Sequence, residues 1–472
     1  MSTQAIIDAK LKPEIFQKII QFVESSNFNA FLIGGWVRDI FLYRNSEDID
    51  IVVEENGIEF AKALAKFLNV KSIAVFKTYG TAQIIYKGLE IEIVGARKES
   101  YRKDSRNPTV SQGSLTDDQN RRDFTINSLA ISLRAPHNLI DPFDGLADLD
   151  AQIIKTPLDP DITFSDDPLR MLRAIRFASQ LGFKIEDETF NSIIKNAERV
   201  KILTQERITV EFNKIMESPV PSLGIYLLDQ AGILPLIFPE LIELKGTETI
   251  KGLSHKDNFH HTLEVLDNMA FTSNNLWLRY AALLHDIAKP ATKRFEPGTG
   301  FTFHGHEFKG SLMVKEIFKR LKLPQNEKMR YVQKLVLLHL RPIALTKEIV
   351  TDSAIRRLVV DSGEDINDLL DLCKCDITSK NEKKKEKYLN NLVQVRQKIA
   401  DVTERDKLRN WQPAITGNHI LQTFDLKNPR DIGILKNLIR EAVLDGNVAD
   451  TIEAGLVFLK QKAQEMGLNL KK

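Results

Sequence analysis

The period of the hydrophobic pattern changes once along this chain, and that change bounds the folds open to it. Up to about residue 150, short runs with every second position apolar read as strands: NAFLIGG, DIDIVVE, GTAQIIYKG and LEIEIVGA, with a turn at Lys87-Gly88 between the last two. IEFAKALAKFLN (58–69) has helical spacing among them. From about Asp166 strand patterns nearly vanish, and DPLRMLRAIRFASQLG, DETFNSIIKNAERV and ERITVEFNKIMES follow one another as helices. A small mixed sheet followed by an all-helical body is an α+β fold. At 472 residues the chain exceeds the roughly 250–300 at which single cores stop growing. The composition, not the period, shifts again near 245, and past 380 KNEKKKEKYLNNLVQVRQKIA reads as a solvated helix. The expected domains are a head (1–150), a helical neck (151–245), a histidine-rich helical domain (246–380) and a helical tail (381–472), the tail beginning with a short loop feeding a helix.

Composition removes several function classes. Apolar residues are 43% of the chain and charged residues 28%, enough for real cores on a soluble protein. A net charge of +2 argues against a protein that coats nucleic acid unselectively, so any basic surface must be local. The two cysteines, Cys373 and Cys375, allow neither a disulfide framework nor a four-cysteine zinc site. MSTQAIIDAKLKPEIF lacks the apolar core of a signal peptide, and no window approaches ~18 uncharged apolar residues. A cytoplasmic protein without a membrane partner is expected.

The most chemically pointed stretch is GGWVRDIFLYRNSEDIDIVV (34–53). Strand periodicity sends Asp48 and Asp50 to one face and Ile49, Ile51 and Val53 to the other. Two carboxylates ~7 Å apart on one face repel unless a cation lies between them, and hard divalent ions such as magnesium take carboxylate and phosphate oxygens together. The strand FLI ends in Gly34 and Gly35, and a helix follows at once. Glycines let backbone approach an anion, the helix start offers N–H groups, and Arg38 one turn on could reach the same oxygens. The pattern is not a dinucleotide fold, since G-x-G-x-x-G is missing and no crossover to a parallel strand follows. Phosphate cradle plus acid pair matches a two-metal phosphoryl-transfer site.

LIGGWVRDIFLYRNSEDIDIV, GSLTDDQNRRDFTINSLAI, DPFDGLADL, SDDPLRMLRAIRFASQLGF and ERITVEFNKI occur in that order. Together they resemble the polymerase-β-like nucleotidyltransferases, in the branch that holds bacterial CCA-adding enzymes and poly(A) polymerases. The resemblance covers about residues 15–240 closely and the rest more loosely. It implies a nucleotidyltransferase head in which Asp48 and Asp50 hold two Mg2+ ions, with a third acid from a neighbouring strand: Glu92, or Glu90 on the same strand face. It implies that Arg122, Asp123 and Asn127 in RRDFTIN lie against the sugar and triphosphate of the nucleotide, beside Arg121. An Asp–hydroxyl bond would select ribose, and an Arg would neutralise phosphate.

DDPLR opens a helix, with Asp166 or Asp167 as cap and Pro168 in the first turn. Asp167 and Arg170, at i and i+3, would project from one face. An arginine can donate to cytosine O2 and N3 while the aspartate accepts from the exocyclic amine, and the same pair suits adenine N1 and N6. The resembled motif is E-D-x-x-R, credited with choosing CTP or ATP without a template; here Asp166 replaces its glutamate. Arg173 would hold that pair, hold the phosphates, or form a salt bridge.

Seven of the nine histidines fall between His255 and His339. RYAALLHDIAKP sets His285 and Asp286 at the polar end of an apolar helix, where an unpaired acid and imidazole would be costly. His261, His285-Asp286, His306, His339 and Asp376 resemble the ligand series of HD-domain metal-dependent phosphohydrolases, with His260 and His304 as alternates. Such a set suits Mn, Ni, Co, Fe or Mg, and an open coordination position would activate water against a phosphoester.

The resemblance implies addition or repair of the 3′-terminal CCA of tRNA with CTP and ATP. The alternatives are a poly(A) polymerase, an HD-type phosphohydrolase with an inactive transferase head, and an RNA-binding scaffold. Near-balanced charge and no strongly basic terminal extension favour CCA addition over poly(A) synthesis. KNPRDIGILK resembles a family loop before a C-terminal helix whose backbone amides would meet tRNA phosphates, with Lys427, Arg430 and Lys436 nearby.

Overall fold

The structure, a computed structural model, describes residues 2–471 apart from 47, 77–79, 103–104, 251–252, 255–256, 346–350, 380, 407–410 and 427. It contains two compact units, Met1–Ile242 and Glu243–Lys472.

The first unit is organised by strands β1 (Ala30–Ile33), β2 (Asp48–Val53), β3 (Ile73–Phe76), β4 (Thr81–Tyr86), β5 (Leu89–Gly95), β6 (Arg97–Arg102), β7 (Ser105–Gln112), β8 (Ala130–Ser132) and β9 (Leu139–Ile140). Seven of these make one sheet, in the order β3-β4-β5-β2-β1-β8-β9, while β6 and β7 form a separate hairpin. Every neighbouring pair in the sheet is antiparallel except β2 with β5. The chain travels between those two through the helix Gly57–Phe67 and the β3–β4 hairpin. That helix packs on β4 and β5 and buries Phe60 and Leu64 completely, each worth about 1.5–3 kcal/mol of apolar burial. β1 and β2, on either side of the glycine pair, are antiparallel, unlike the parallel strands of a dinucleotide-binding unit.

Behind the sheet come helices Pro160–Asp166, Leu169–Leu181, Asp187–Asn196, Gln205–Met216 and Pro221–Gln230. The last packs so tightly that a Cβ on Gly224 would lie 2.4 Å from the Ile215 side chain. Asp167 departs from expectation. It precedes a proline, which disfavours helical backbone, and it is extended at φ −133° and ψ 99°, joining two helices instead of sitting on one helical face. Its Oδ1 accepts from Leu169 N at 3.1 Å, so Asp167 supplies the local cap.

In the second unit, helices Asn258–Thr272, Leu276–Leu284, His306–Arg320, Glu327–Leu338 and Ile366–Asp376 pack together. The charged run past 380 is the helix Glu382–Asp406, solvated on one side only. Leu392, Val395, Ile399 and Val402 form a buried stripe at helical spacing, and the helix packs on Leu340–Leu345, Asp352–Ser362 and Ile366–Asp376. It therefore stays with the preceding helices. A separate small core of Ile415, Ile420, Phe424, Leu435, Ile439, Leu459 and Ala463 follows. Where a loop was expected ahead of the tail helix Pro429–Leu444, the chain first forms the helix Gly417–Thr423. Among the described residues, no helix is long and apolar enough to cross a membrane.

Candidate active site and candidate metal centre

In the head, parallel register sets Asp48 beside Glu90 and Asp50 beside Glu92. With strands ~4.8 Å apart, the four carboxylates share one sheet face. Their surroundings differ. Glu90 accepts a hydrogen bond from the Gln83 amide. Glu92 and Asp50 instead line a cavity of about 390 Å³, while Asp48 is exposed at the start of β2. Burial lifts the Asp50 carboxyl to about 6, with Glu92 and Asp48 adding to the rise against the pull of Arg122 and Arg38. A half-buried acid crowded by acids is a fitting donor set for a hard divalent cation.

The glycine before the helix is required by what crosses it. Gly34 has φ +78°, and a Cβ there would lie 3.0 Å from both the Asp50 carboxylate and an Arg122 terminal nitrogen. Arg122 thus stands over the acid. Gly35 begins the helix Gly35–Phe41. Arg38 does not reach forward as expected. It is buried, donates to Asn127 Oδ1 at 2.9 Å, pairs with Asp39 at 2.8 Å and packs over the Phe177 ring. Its guanidinium sits where apolar helix packing and an amide partner hold it inward.

Asp123 and Asn127 are likewise engaged inside the protein. Asp123 Oδ1 accepts from Asn127 Nδ2 at 3.0 Å and from Phe124 N at 2.9 Å, and its Oδ2 accepts from Arg173 Nε at 2.7 Å. Burial would raise the Asp123 carboxyl, but Arg173 and the Asn127 amide outweigh it and hold it near 2. The ribose-reading role expected of Asp123 therefore competes with three internal donors, although the residue lines the cavity. Of the roles open to Arg173, the structure shows the salt bridge. A continuous chain Arg38–Asn127–Asp123–Arg173 results, linking the glycine helix to the helix Leu169–Leu181.

Asp167 and Arg170 both face the same cavity as Asp50 and Glu92. Arg170 Nη2 donates to the Arg121 carbonyl at 2.6 Å, which fixes the arginine across from the acid strand. Two residues escaped sequence reasoning. Arg207, from the helix Gln205–Met216, lines the cavity with Arg121, Arg122, Arg170 and Arg173. Asp118, fully buried, pairs with Arg121 and Arg122; its signal was an acid three and four residues before two arginines.

In the second unit six side chains converge. Asp286 lies 3.6 Å from His261 Nε2, 3.3 Å from His285 Nε2, 3.3 Å from His306 Nε2 and 3.9 Å from His339 Nε2. Asp376 is 2.9 Å from His261 and 3.6 Å from His285. Each ring is held from behind through Nδ1. His285, His306 and His339 bond the carbonyls of Ala282, Phe303 and Val336 at 2.7, 2.8 and 2.7 Å, and His261 bonds Thr378 Oγ1 at 2.9 Å. Among the described residues, the buried Nε2 atoms of His285, His306 and His339 have no hydrogen-bond partner. Imidazoles oriented through one nitrogen, with the other turned toward a carboxylate, are a donor set that fits a divalent metal ion, and His261, His285 and Asp286, or Asp286, His306 and His339, lie close enough together to share one. Burial would lower His285, but Asp286 and Asp376 overcome it and push it up to about 10. Burial and His285 together drive His339 down to about 4. The cluster thus demands positive charge at its centre. His260 and His304 are exposed, near Asp257 and Glu296. In the tail, Arg430 and Lys436 are exposed on the helix Pro429–Leu444, and Lys427 lies outside the described residues.

Comparison with known proteins gives three family matches in chain order. Residues 30–155 match the poly(A) polymerase head domain, 182–244 the segment described as "Probable RNA and SrmB- binding site of polymerase A", and 258–406 the HD domain. A CCA-adding enzyme of Geobacillus sp. is 38% identical over 241 residues, which is 49% of this chain and 58% of that protein. An A-adding tRNA nucleotidyltransferase of Deinococcus radiodurans is 36% identical over 270 residues, 56% of this chain and 60% of that one. The chain thus spans about three fifths of these relatives' lengths. The solved complex of a CCA-adding enzyme with CTP shares the fold, with a TM-score of 0.63 at 23% identity over 99% of this chain and 98% of that one. An acid ladder facing an arginine-lined cavity in the head and a histidine–aspartate cluster in the helical body thus accompany the head, RNA-binding and HD domains found in the CCA-adding enzymes and poly(A) polymerases, and this chain carries that set of domains in that order.

Proposed function

We propose that this protein completes or repairs the 3′-terminal CCA of tRNA in the cytoplasm, drawing on CTP and ATP without a nucleic-acid template. The observation that carries the reading is a single cavity containing Asp50 and Glu92 at one wall and Asp167 and Arg170 at another. Asp48 and Asp50, with Glu92 beside them, would hold Mg2+, which would supply Lewis acidity when the tRNA 3′-hydroxyl attacks the α-phosphate and pyrophosphate departs. Arg122 stands over Asp50 and neutralises triphosphate charge. Asp167 accepts from the exocyclic amine of cytosine or adenine, and Arg170 donates to the ring acceptors. Gly34 leaves room for the close approach of these groups, and Arg430 and Lys436 offer charge to tRNA phosphates. The relatives named for CCA addition and for A addition, and the neighbour solved with CTP, support this class of substrate.

Extension of a tRNA lacking CCA, with CTP alone, ATP alone and both, tests the proposal. CTP alone should add two cytidines, and both nucleotides should complete CCA. Long adenosine tails with ATP alone and no cytidine incorporation would make the protein a poly(A) polymerase. Adenosine added only to tRNA already ending in CC would make it an A-adding enzyme.

A second activity is favoured by the partnerless Nε2 atoms of the histidine cluster. His261, His285, Asp286, His306, His339 and Asp376 would hold a divalent ion, Mg2+ or one of Mn, Ni, Co and Fe, which would activate water for phosphoester hydrolysis. Its test is metal-dependent release of phosphate from phosphomonoester and 2′,3′-cyclic substrates, lost in Asp286→Ala.

A further inference from the structure

The paired arginines of the head cavity are aimed by a residue that never touches the cavity surface. In SLTDDQNRRD the two adjacent acids have different partners. Asp117 closes a capping box with Ser114 at the start of the helix Leu115–Asn120. Asp118 turns inward, is fully buried, and accepts from Arg121 Nε and Arg122 Nε at 3.0 Å each, with a further contact from an Arg121 terminal nitrogen. Next to it Gln119 donates to the Ser128 carbonyl at 2.7 Å, so the backbone carrying the acid is pinned from the far side.

The consequence runs in two directions. Gripped at Nε, Arg122 presents its terminal nitrogens forward. One lies 3.4 Å from the Asn127 carbonyl and stands over Gly34 beside Asp50, the phosphate side of the cavity. Arg121, gripped by the same carboxylate, offers its backbone carbonyl to Arg170 at 2.6 Å, on the base-selecting side. One buried carboxylate thereby grips both neighbouring arginines, and its reach toward the cavity runs through Arg122. A long guanidinium side chain has much rotamer entropy to lose, and prior restraint removes that cost from ligand binding.

We propose that Asp118 is a positioning residue for the incoming nucleotide, holding Arg122 toward the triphosphate. The inference rests on the nucleotide-transfer reading above. It differs from a purely structural role in one measurable way: Asp118 acts on the nucleotide through Arg122, so their effects on affinity must overlap.

The test is a double-mutant cycle on nucleotide binding, read by titration calorimetry with magnesium and CTP or ATP, with thermal melts confirming the fold of each variant. Asp118→Asn and Arg122→Ala should each weaken binding by roughly tenfold to a hundredfold. The double variant should be no more than about twofold worse than Arg122→Ala alone. Should Asp118→Asn fail to fold, Asp118→Glu keeps the charge, shifts it by one methylene and should show the same overlap. Wild-type affinity in the Asp118 variant, or effects that multiply in the double variant, would overturn the inference and leave the proposed function standing. No binding of either nucleotide by the unsubstituted protein would overturn the function, and the inference with it.

Discussion

The head cavity and the histidine cluster solve opposite electrostatic problems. In the head, acids and arginines are interleaved, and most of them satisfy one another: Asp118 with Arg121 and Arg122, Asp123 with Arg173. Asp50 stands apart, its carboxyl lifted to about 6 chiefly by burial. In the cluster, among the described residues, three buried imidazole nitrogens make no hydrogen bond and face the Asp286 carboxylate at 3.3–3.9 Å. The first arrangement suits polyanionic ligands that come and go, because the guanidinium charge is already arranged and little must be desolvated. The second suits a resident cation, because nothing but a cation satisfies all its members at once. The difference teaches that one site is built for turnover and the other for retention.

Asp50→Ala is the harshest test of that contrast. It should lower nucleotide incorporation by about a thousandfold or more, while metal content of the cluster, read by elemental analysis, stays as in the parent. Asp286→Ala should reverse the pattern. Removing the one acid that faces all four histidines should weaken metal retention at least roughly a hundredfold, with loss of any phosphoester hydrolysis. If either change emptied both sites, the contrast between them would collapse.

Gly34→Ala sharpens the turnover side. A Cβ 3.0 Å from Asp50 and Arg122, on backbone at φ +78°, should cost about 1–2 kcal/mol of stability and depress incorporation more than it lowers the melting temperature. The smallest effect is on pH. The Asp50 carboxyl is raised in the folded protein from 3.8 to about 6, so its contribution favours the fold below about 3.8 and is lost as pH rises through about 6. Magnesium should counter that loss. Its stabilisation of the melting temperature is expected to grow between pH 5 and 7, and a flat response would place the ion away from Asp50.

These outcomes depend on residues that were unequally legible in the sequence. Period two placed Asp48 and Asp50 on one strand face, while the glycine turn before them and the family resemblance gave them a role; the crowding of the histidines pointed to the cluster, and the resemblance to HD domains named its side chains. Glu92 could not be separated from Glu90, because both share a strand face and only the pairing of β2 with β5, forty residues apart, gives them different neighbours. Asp167 was assigned a helical direction that the following proline forbids. Arg38, Asp123 and Asn127 looked like ligand-facing groups in a motif, yet their partners are one another and Arg173, a pairing that spans most of the first unit. Arg207 lay inside ERITVEFNKI, one of the stretches that carry the resemblance, yet nothing local to it gave its side chain a direction. Local periodicity reports which face a side chain occupies; which neighbour it meets there is set by non-local contacts.

The carbonyl anchors behind the histidines have a mechanical consequence. His285, His306 and His339 are each tied to the carbonyl three residues earlier, in the last turn of a helix or at the entrance to one. Each ring is therefore rigidly coupled to its own segment of backbone, like a spoke fixed to its rim. An ion gripping the three rings would put those segments under shared tension, so that the helical body becomes a strut stiffened from its hub, independent of whether any bond is ever hydrolysed there.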